Sequence, residues 1–93
     1  MIKSFKDKET EAVFNGKDPG GFYSSILKVG RRKLAMVHAA IDLQDLKSPP
    51  GNNLHDLKDD RKGQWAIKIN QQYRVCFYWT PEGATEVEIT DYH

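Results

Sequence analysis

Cysteine is nearly absent: Cys76 is the single one in a chain of 93 residues. A lone thiol forms no disulfide within the chain, so packing has to hold the fold, and a reducing compartment, the cytoplasm, is the expected setting. Long apolar runs are missing too. The longest, "LAMVHAAI", falls far short of the roughly 20 residues a membrane-crossing helix needs. The opening "MIKSFKDKE" alternates where a signal peptide would run apolar, so neither a targeting segment nor a membrane partner is expected. No sign of charge dominates, since 14 Lys and Arg face 13 Asp and Glu for a net charge of +1. That balance does not advertise a freestanding nucleic-acid binder, which would more often be strongly basic. What the chain does have is apolar content, 39% hydrophobic with 11% aromatic, which is too much for a disordered segment. At this length a second core would have too little to bury, and residues 1–93 are expected to form a single domain.

The pattern along the chain alternates between helical and strand periods. "MIKSF" reads as a short first strand, and "DKETEAVFNG" as a short helix with Asp7 placed to cap it and Gly16 to end it. After a turn at "KDPGGFY", a long helix is expected from Ser24 or Ser25 to about Leu46, with Ile26, Gly30, Leu34, Val37 and Ile41 marking its buried stripe. Gly30 costs that helix about 1 kcal/mol relative to alanine, and close packing against the sheet would compensate. "KSPPGNN" then stops it. The next stretch, "NLHDLKDDRKGQ", has no clear period, so about eighteen residues separate the helix from the next strand, longer than ordinary connections in compact domains. Loops of that kind carry function or are disordered. "WAIKIN", "YRVCFYW" and "TEVEITDY" follow as three antiparallel strands in a meander, with the long helix on one face and the middle strand apolar on both sides.

Arg74 interrupts that middle strand. On alternation it shares a face with Cys76 and Tyr78, away from Val75, Phe77 and Trp79, so it points into the face that helices leave open. The long loop and the closing "DYH" can both fold onto this face, which would bring His55, Lys58, Arg74, Asp91, Tyr92 and His93 together. Imidazoles, fixed cations and a carboxylate are what RNA cleavage without a metal requires: a base for the 2′-hydroxyl, an acid for the leaving 5′-oxygen and positive charge for the phosphorane. Imidazole suits both transfers because its ordinary pKa, about 6.5, lies near working pH. Each residue also has a purely structural reading, with His55 as surface, Lys58 as part of a solvated edge with Arg61 and Lys62, and Arg74 as the ion-pair partner of Asp91 or Glu88. Met36 and the strand aromatics read as core, and His38 as structural or exposed.

The stretch "RKLAMVHAAIDLQDLKSPPGNNLHDLKDDRKGQWAIKINQQYRVCFYW", followed by "VEITDYH", resembles the RelE/HigB superfamily of type II toxins, in its HigB-like or plasmid maintenance killer branch. The resemblance implies an α+β fold of the RelE-like microbial RNase kind, a three- to four-stranded antiparallel sheet with a short and a long N-terminal helix on one face. It also implies a ribosome-dependent mRNA interferase that contacts mRNA in the ribosomal A site and rRNA. Its partner would be a HigA-like helix-turn-helix antitoxin, through which it would meet operator DNA indirectly. By position, the family's site falls on His55, Lys58, Arg74, Asp91, Tyr92 and His93. His93 would be the base oriented by Asp91 and His55 the acid, or the reverse, with Lys58 and Arg74 on the phosphate and Tyr92 against the nucleotide. The family's small residue after the lysine is Asp59 here, beside Asp60. No cofactor or metal is expected. Two other functions fit the residues: a non-catalytic module that acts with its antitoxin as corepressor, and a metal-dependent hydrolase using His55, Asp91 and His93, although no closely spaced ligand pair supports the latter.

Overall fold

The computed structural model describes residues 1–91. Strand alternation builds the sheet as expected. Strands β2 (Trp65–Lys68), β3 (Arg74–Thr80) and β4 (Gly83–Thr90) run antiparallel, following a two-residue strand β1 (His55–Asp56) that pairs with β2. The spatial order is β1-β2-β3-β4. The expected first strand is present only as isolated parallel bridges, Ile2 to Ala84 and Phe5 to Val87, along the outer side of β4. Backbone bonds from Lys3 N to Ala84 O (2.7 Å) and from Lys6 N to Val87 O (3.0 Å) hold it there. Gly83 allows this approach, because a Cβ at that position would collide with the Met1 carbonyl.

Two helices cover one face. α1 (Lys8–Phe14) starts at Asp7, whose Oδ1 accepts from Thr10 N at 2.6 Å, and Gly16 follows its end with φ of +85°. A 3-10 segment, Gly21–Ile26, leads into α2 (Leu27–Ala39). Leu34 and Val37 on α2, Ile67 on β2, Val75 and Phe77 on β3 and Val87 on β4 are fully buried in the core between helices and sheet. Each large apolar side chain so buried contributes about 1.5–3 kcal/mol. Gly30 sits where the sequence pattern asks for close packing: an added Cβ would lie 3.1 Å from Ile26 Cδ1 and 3.5 Å from Ile89 Cδ1.

The long helix is shorter than expected. It stops at Ala39, not near Leu46; Ala40 turns extended (ψ 129°), and residues Leu43–Lys47 form a separate 3-10 turn. Competition from short acidic side chains explains the break. Asp45 Oδ2 accepts from Ile41 N (3.0 Å) and Asp42 N (3.1 Å), while Asp42 Oδ1 accepts from Gln44 N (2.8 Å), a reciprocal cap that restarts the chain in a new direction. Ile41, expected on the buried stripe, is consequently 92% exposed.

The aperiodic loop is ordered by anchors just before it and within its first half. Asn52, at the end of a 3-10 turn Pro50–Asn52, is fully buried; its Oδ1 accepts from Lys33 Nζ at 2.5 Å and its Nδ2 donates to the Leu46 and Ser48 carbonyls at 3.2 and 3.3 Å. Further on, Leu54 packs against the main core, whereas Leu57 joins Ala66 and Cys76 in a smaller cluster on the opposite face of the sheet. The chain thus crosses the sheet edge between the two leucines. That crossing creates β1.

Candidate active site

Cross-strand register decides which side chains share the face without helices, since directly opposed residues point the same way. His55 lies opposite Ala66, Ala66 opposite Cys76 and Cys76 opposite Glu88, which makes one row across the sheet. The adjacent row holds Lys68, Arg74 and Thr90, with Asp91 directly after. His55 and Arg74 therefore share one face near one end of the sheet, and Asp91 lies just past the end of β4, beside the β2–β3 turn, with its Oδ2 on Gln72 Nε2. Lys68, which the sequence pattern gave no special place, stands between His55 and Arg74. Alternation alone could have found it, because Lys68 is out of phase with Trp65 and Ile67 just as Arg74 is with Val75 and Phe77.

The imidazole of His55 is oriented. Its Nδ1–H donates to the Asn53 carbonyl at 2.7 Å, and a carbonyl can only accept, so Nδ1 holds its proton and proton exchange falls to Nε2. The turn needed for this bond comes from Asn53 itself, in the left-handed region at φ +49°. Lys58 is exposed and its Nζ pairs with Asp56 Oδ2 at 3.1 Å. The hydrogen bond and charge of Lys58 hold the Asp56 carboxyl below its usual range. Asp59 follows with φ +55°, a left-handed conformation that aspartate tolerates. Hollows of about 390 and 600 Å³ flank Lys58; the loop walls both, and Asp56 of β1 and Trp65 of β2 also line the larger.

Arg74 departs from expectation in its surroundings. It lies on the predicted face, yet it is buried rather than open, 9% exposed. Its Nη1 donates to the Asn70 and Tyr73 carbonyls, the latter at 3.1 Å, and its Nε is buried without a hydrogen-bond partner. Neither expected ion pair forms among the described residues. Glu88 instead accepts from Arg61 Nη1 at 2.6 Å, with Lys6 Nζ at 3.6 Å, and Asp91 Oδ2 accepts from Gln72 Nε2 at 3.1 Å. Tyr92 and His93 lie outside the described residues. His38 is structural: its Nδ1 accepts from Ile2 N at 3.1 Å, and its ring packs 5.2 Å from that of Phe14.

Cys76 sits in the middle of the face but has no accessible thiolate. Fully buried, its thiol is pushed up to about 12, chiefly by burial. Iodoacetamide at pH 8 should leave the native protein unmodified by mass spectrometry and alkylate it fully once urea unfolds it. Rapid labelling of the folded protein would show that the loop over Cys76 opens readily.

With this geometry in place, comparison with known proteins gives a consistent result. The family described as "RelE-like toxin of type II toxin-antitoxin system HigB" matches residues 3–93. Toxin HigB-1 of Vibrio cholerae serotype O1 is 39% identical over 80 residues, 85% of this chain and 84% of that one. Endoribonuclease HigB of Proteus vulgaris is 29% identical over 93 residues, the whole of both chains. The two-helix, four-stranded architecture agrees with that assignment, and the chain belongs to the HigB-like, RelE-like toxins of type II toxin-antitoxin systems.

Proposed function

We propose that this toxin is a ribosome-dependent endoribonuclease that cuts mRNA by attack of the substrate's own 2′-hydroxyl. The observation that supports the reading is an oriented imidazole, His55, on the same helix-free face as Arg74, with Asp91 just past the end of β4. In the reaction a base removes the 2′-hydroxyl proton, the oxygen bonds to phosphorus, and the 5′-oxygen leaves with a proton from the acid. A 2′,3′-cyclic phosphate and a 5′-hydroxyl result. His93 and His55 are assigned the two transfers, in either order, with Asp91 orienting His93. Arg74 and Lys58 stabilise the phosphorane charge, to which Lys68 adds, and Tyr92 contacts the nucleotide. The roles of Tyr92 and His93 come from the resemblance alone.

Membership of a type II system implies an antitoxin partner. We assign that role to a helix-turn-helix protein of the HigA kind that brings the pair to operator DNA. No helix among the described residues is long and apolar enough to cross a membrane. The toxin is read as a single cytoplasmic domain over residues 1–93. A near-neutral chain suits a nuclease to which the ribosome presents the substrate, because long-range attraction to RNA is then less needed.

Reporter mRNA incubated with purified toxin, with and without 70S ribosomes, should be cut in frame only when ribosomes are present. Treatment of the toxin with EDTA should not matter once ribosomal magnesium is restored, and 5′-hydroxyl ends should appear. A 5′-phosphate end, or activity that returns only with zinc or manganese, contradicts this chemistry. Absence of cleavage under both conditions favours the corepressor module.

A further inference from the structure

Residues 57–64 leave the sheet at β1 and return to it at β2, yet their tightest charged contact is with β4. Arg61 Nη1 reaches Glu88 Oε1 at 2.6 Å, crossing above Cys76, and also donates to Gln64 Oε1 at 3.1 Å. Glu88 lies in the same row as His55, with Ala66 and Cys76 between them. At strand spacings of 4.7–4.9 Å the contact thus ties the loop to a strand about 14 Å from His55. Glu88 is buried, only 7% exposed, whereas the Arg61 side chain keeps 26% of its surface exposed.

The connection to Lys58 is short. Arg61 N donates to Lys58 O at 3.1 Å and Lys62 N to Asp59 O at 3.1 Å, so the 3-10 turn Asp59–Arg61 starts at Lys58 and ends at the residue that Glu88 holds. Leu57, on the other side of Lys58, is buried against Ala66 and Cys76, and its N–H donates to Gln64 O at 2.9 Å. Lys58 is the first of three exposed residues, Lys58 to Asp60, between two fixed ones. Arg61 could be read as another RNA-binding cation, but its charge is already matched, and the Glu88 hydrogen bond is the first cause that raises its pKa.

We propose that Arg61 and Glu88 form a positioning pair that fixes the loop across the sheet and so sets the backbone from which Lys58 would reach the scissile phosphate. The proposal rests on the nuclease reading for its substrate, an RNA phosphodiester, and on this chain's geometry for the pair itself. Lys58 Nζ rests on Asp56 Oδ2 at 3.1 Å in the free protein, and a fixed turn limits the positions its backbone can take when the lysine exchanges that carboxylate for a phosphate.

Three variants test it: Arg61→Met, Glu88→Gln and the double Arg61→Met/Glu88→Leu, which removes both charges and keeps apolar bulk. Each should lower the single-turnover cleavage rate about tenfold or more, with the apparent KM for programmed ribosomes and its salt dependence unchanged. The double variant should lose no more than either single one, since the two residues act as a unit. Hydrogen exchange of amides 58–62 should speed up at least tenfold in all three while β3 keeps its protection. The double variant's melting temperature should stay near wild type, which separates positioning from global loss of fold. If Arg61 instead touches RNA directly, Glu88→Gln frees a cation, and its rate should match or exceed wild type with a steeper salt dependence. That result overturns the proposal, as does a double variant with wild-type rate and unchanged exchange. Should wild-type toxin cut no mRNA, the nuclease reading fails on its own, and loop exchange still decides whether the pair holds the loop.

Discussion

Arg74→Ala should slow cleavage by about a hundredfold to a thousandfold and should also lower the melting temperature. The rate effect follows from losing a preorganised donor at the phosphorane, worth roughly 3–4 kcal/mol in comparable sites. The stability effect follows from burial. Nη1 of Arg74 bonds the Asn70 and Tyr73 carbonyls, and the Tyr73 carbonyl also accepts from Ile69 N at 3.0 Å and Asn70 N at 3.3 Å, so the guanidinium stitches the turn between β2 and β3. Losing charge-assisted bonds of this kind costs about 1.5–3 kcal/mol, less whatever the unpartnered Nε was already costing. A fall of about 5–15 °C is expected in a domain of this size. Rates must therefore be compared well below the variant's transition, with the folded fraction measured by circular dichroism in the same buffer. Activity that falls only in step with the folded fraction would leave Arg74 a structural residue and remove it from the chemistry. Arg74→Lys sharpens the comparison, because it keeps charge but cannot bond carbonyls and phosphate from one planar fork.

Asn52→Ala is expected to be strongly destabilising, by about 2–4 kcal/mol or at least about 10 °C in melting temperature. The amide fills every role at its position. Its oxygen is the partner of Lys33, whose pKa burial pushes below the ordinary lysine value, and its nitrogen serves the Leu46 and Ser48 carbonyls. Alanine leaves an ammonium and carbonyl oxygens buried without partners, and it unpins the segment that leads to His55. Calorimetry on Asn52→Ala, Lys33→Met and the double variant tests the link. Coupling of at least about 1 kcal/mol is expected; additive effects, or a loss under about 0.5 kcal/mol for Asn52→Ala, would mean that the bonds do not hold the loop.

The parts of the fold that repeat were legible in the sequence. Alternation in "WAIKIN", "YRVCFYW" and "TEVEITDY" places the meander, although β4 already begins at Gly83; Asp7 and Gly16 bound α1, and the spacing of Ile26, Gly30, Leu34 and Val37 places the inner side of α2. What stayed hidden depends on single polar contacts with no period. Asp42 and Asp45 redirect the chain after Ala39 by capping backbone groups, although the apolar spacing continues to Ile41. Asn52 looks like an ordinary turn residue within "PPGNN" and turns out to be fully buried, because its partner Lys33 lies a helix away. For the site, the face of Arg74 was readable from alternation, but its burial was not. Glu88 and Arg61 look like separate surface charges until the register and the loop path bring them together.

The bridges that lay Ile2 and Phe5 along β4 impose an order on the toxin's birth. Glu86 N bonds Ser4 Oγ at 2.9 Å across a separation of 82 residues, and Ile89 N bonds Thr10 Oγ1 at 3.0 Å across 79. Contacts this distant in the chain carry the full entropy of closing the intervening loop and form late. During synthesis the opening segment has no strand to dock on until residues 83–89 have been made and have cleared the exit tunnel. Until then the outer edge of β4 stays uncovered, and docking of the N-terminal segment is among the last steps by which the fold closes.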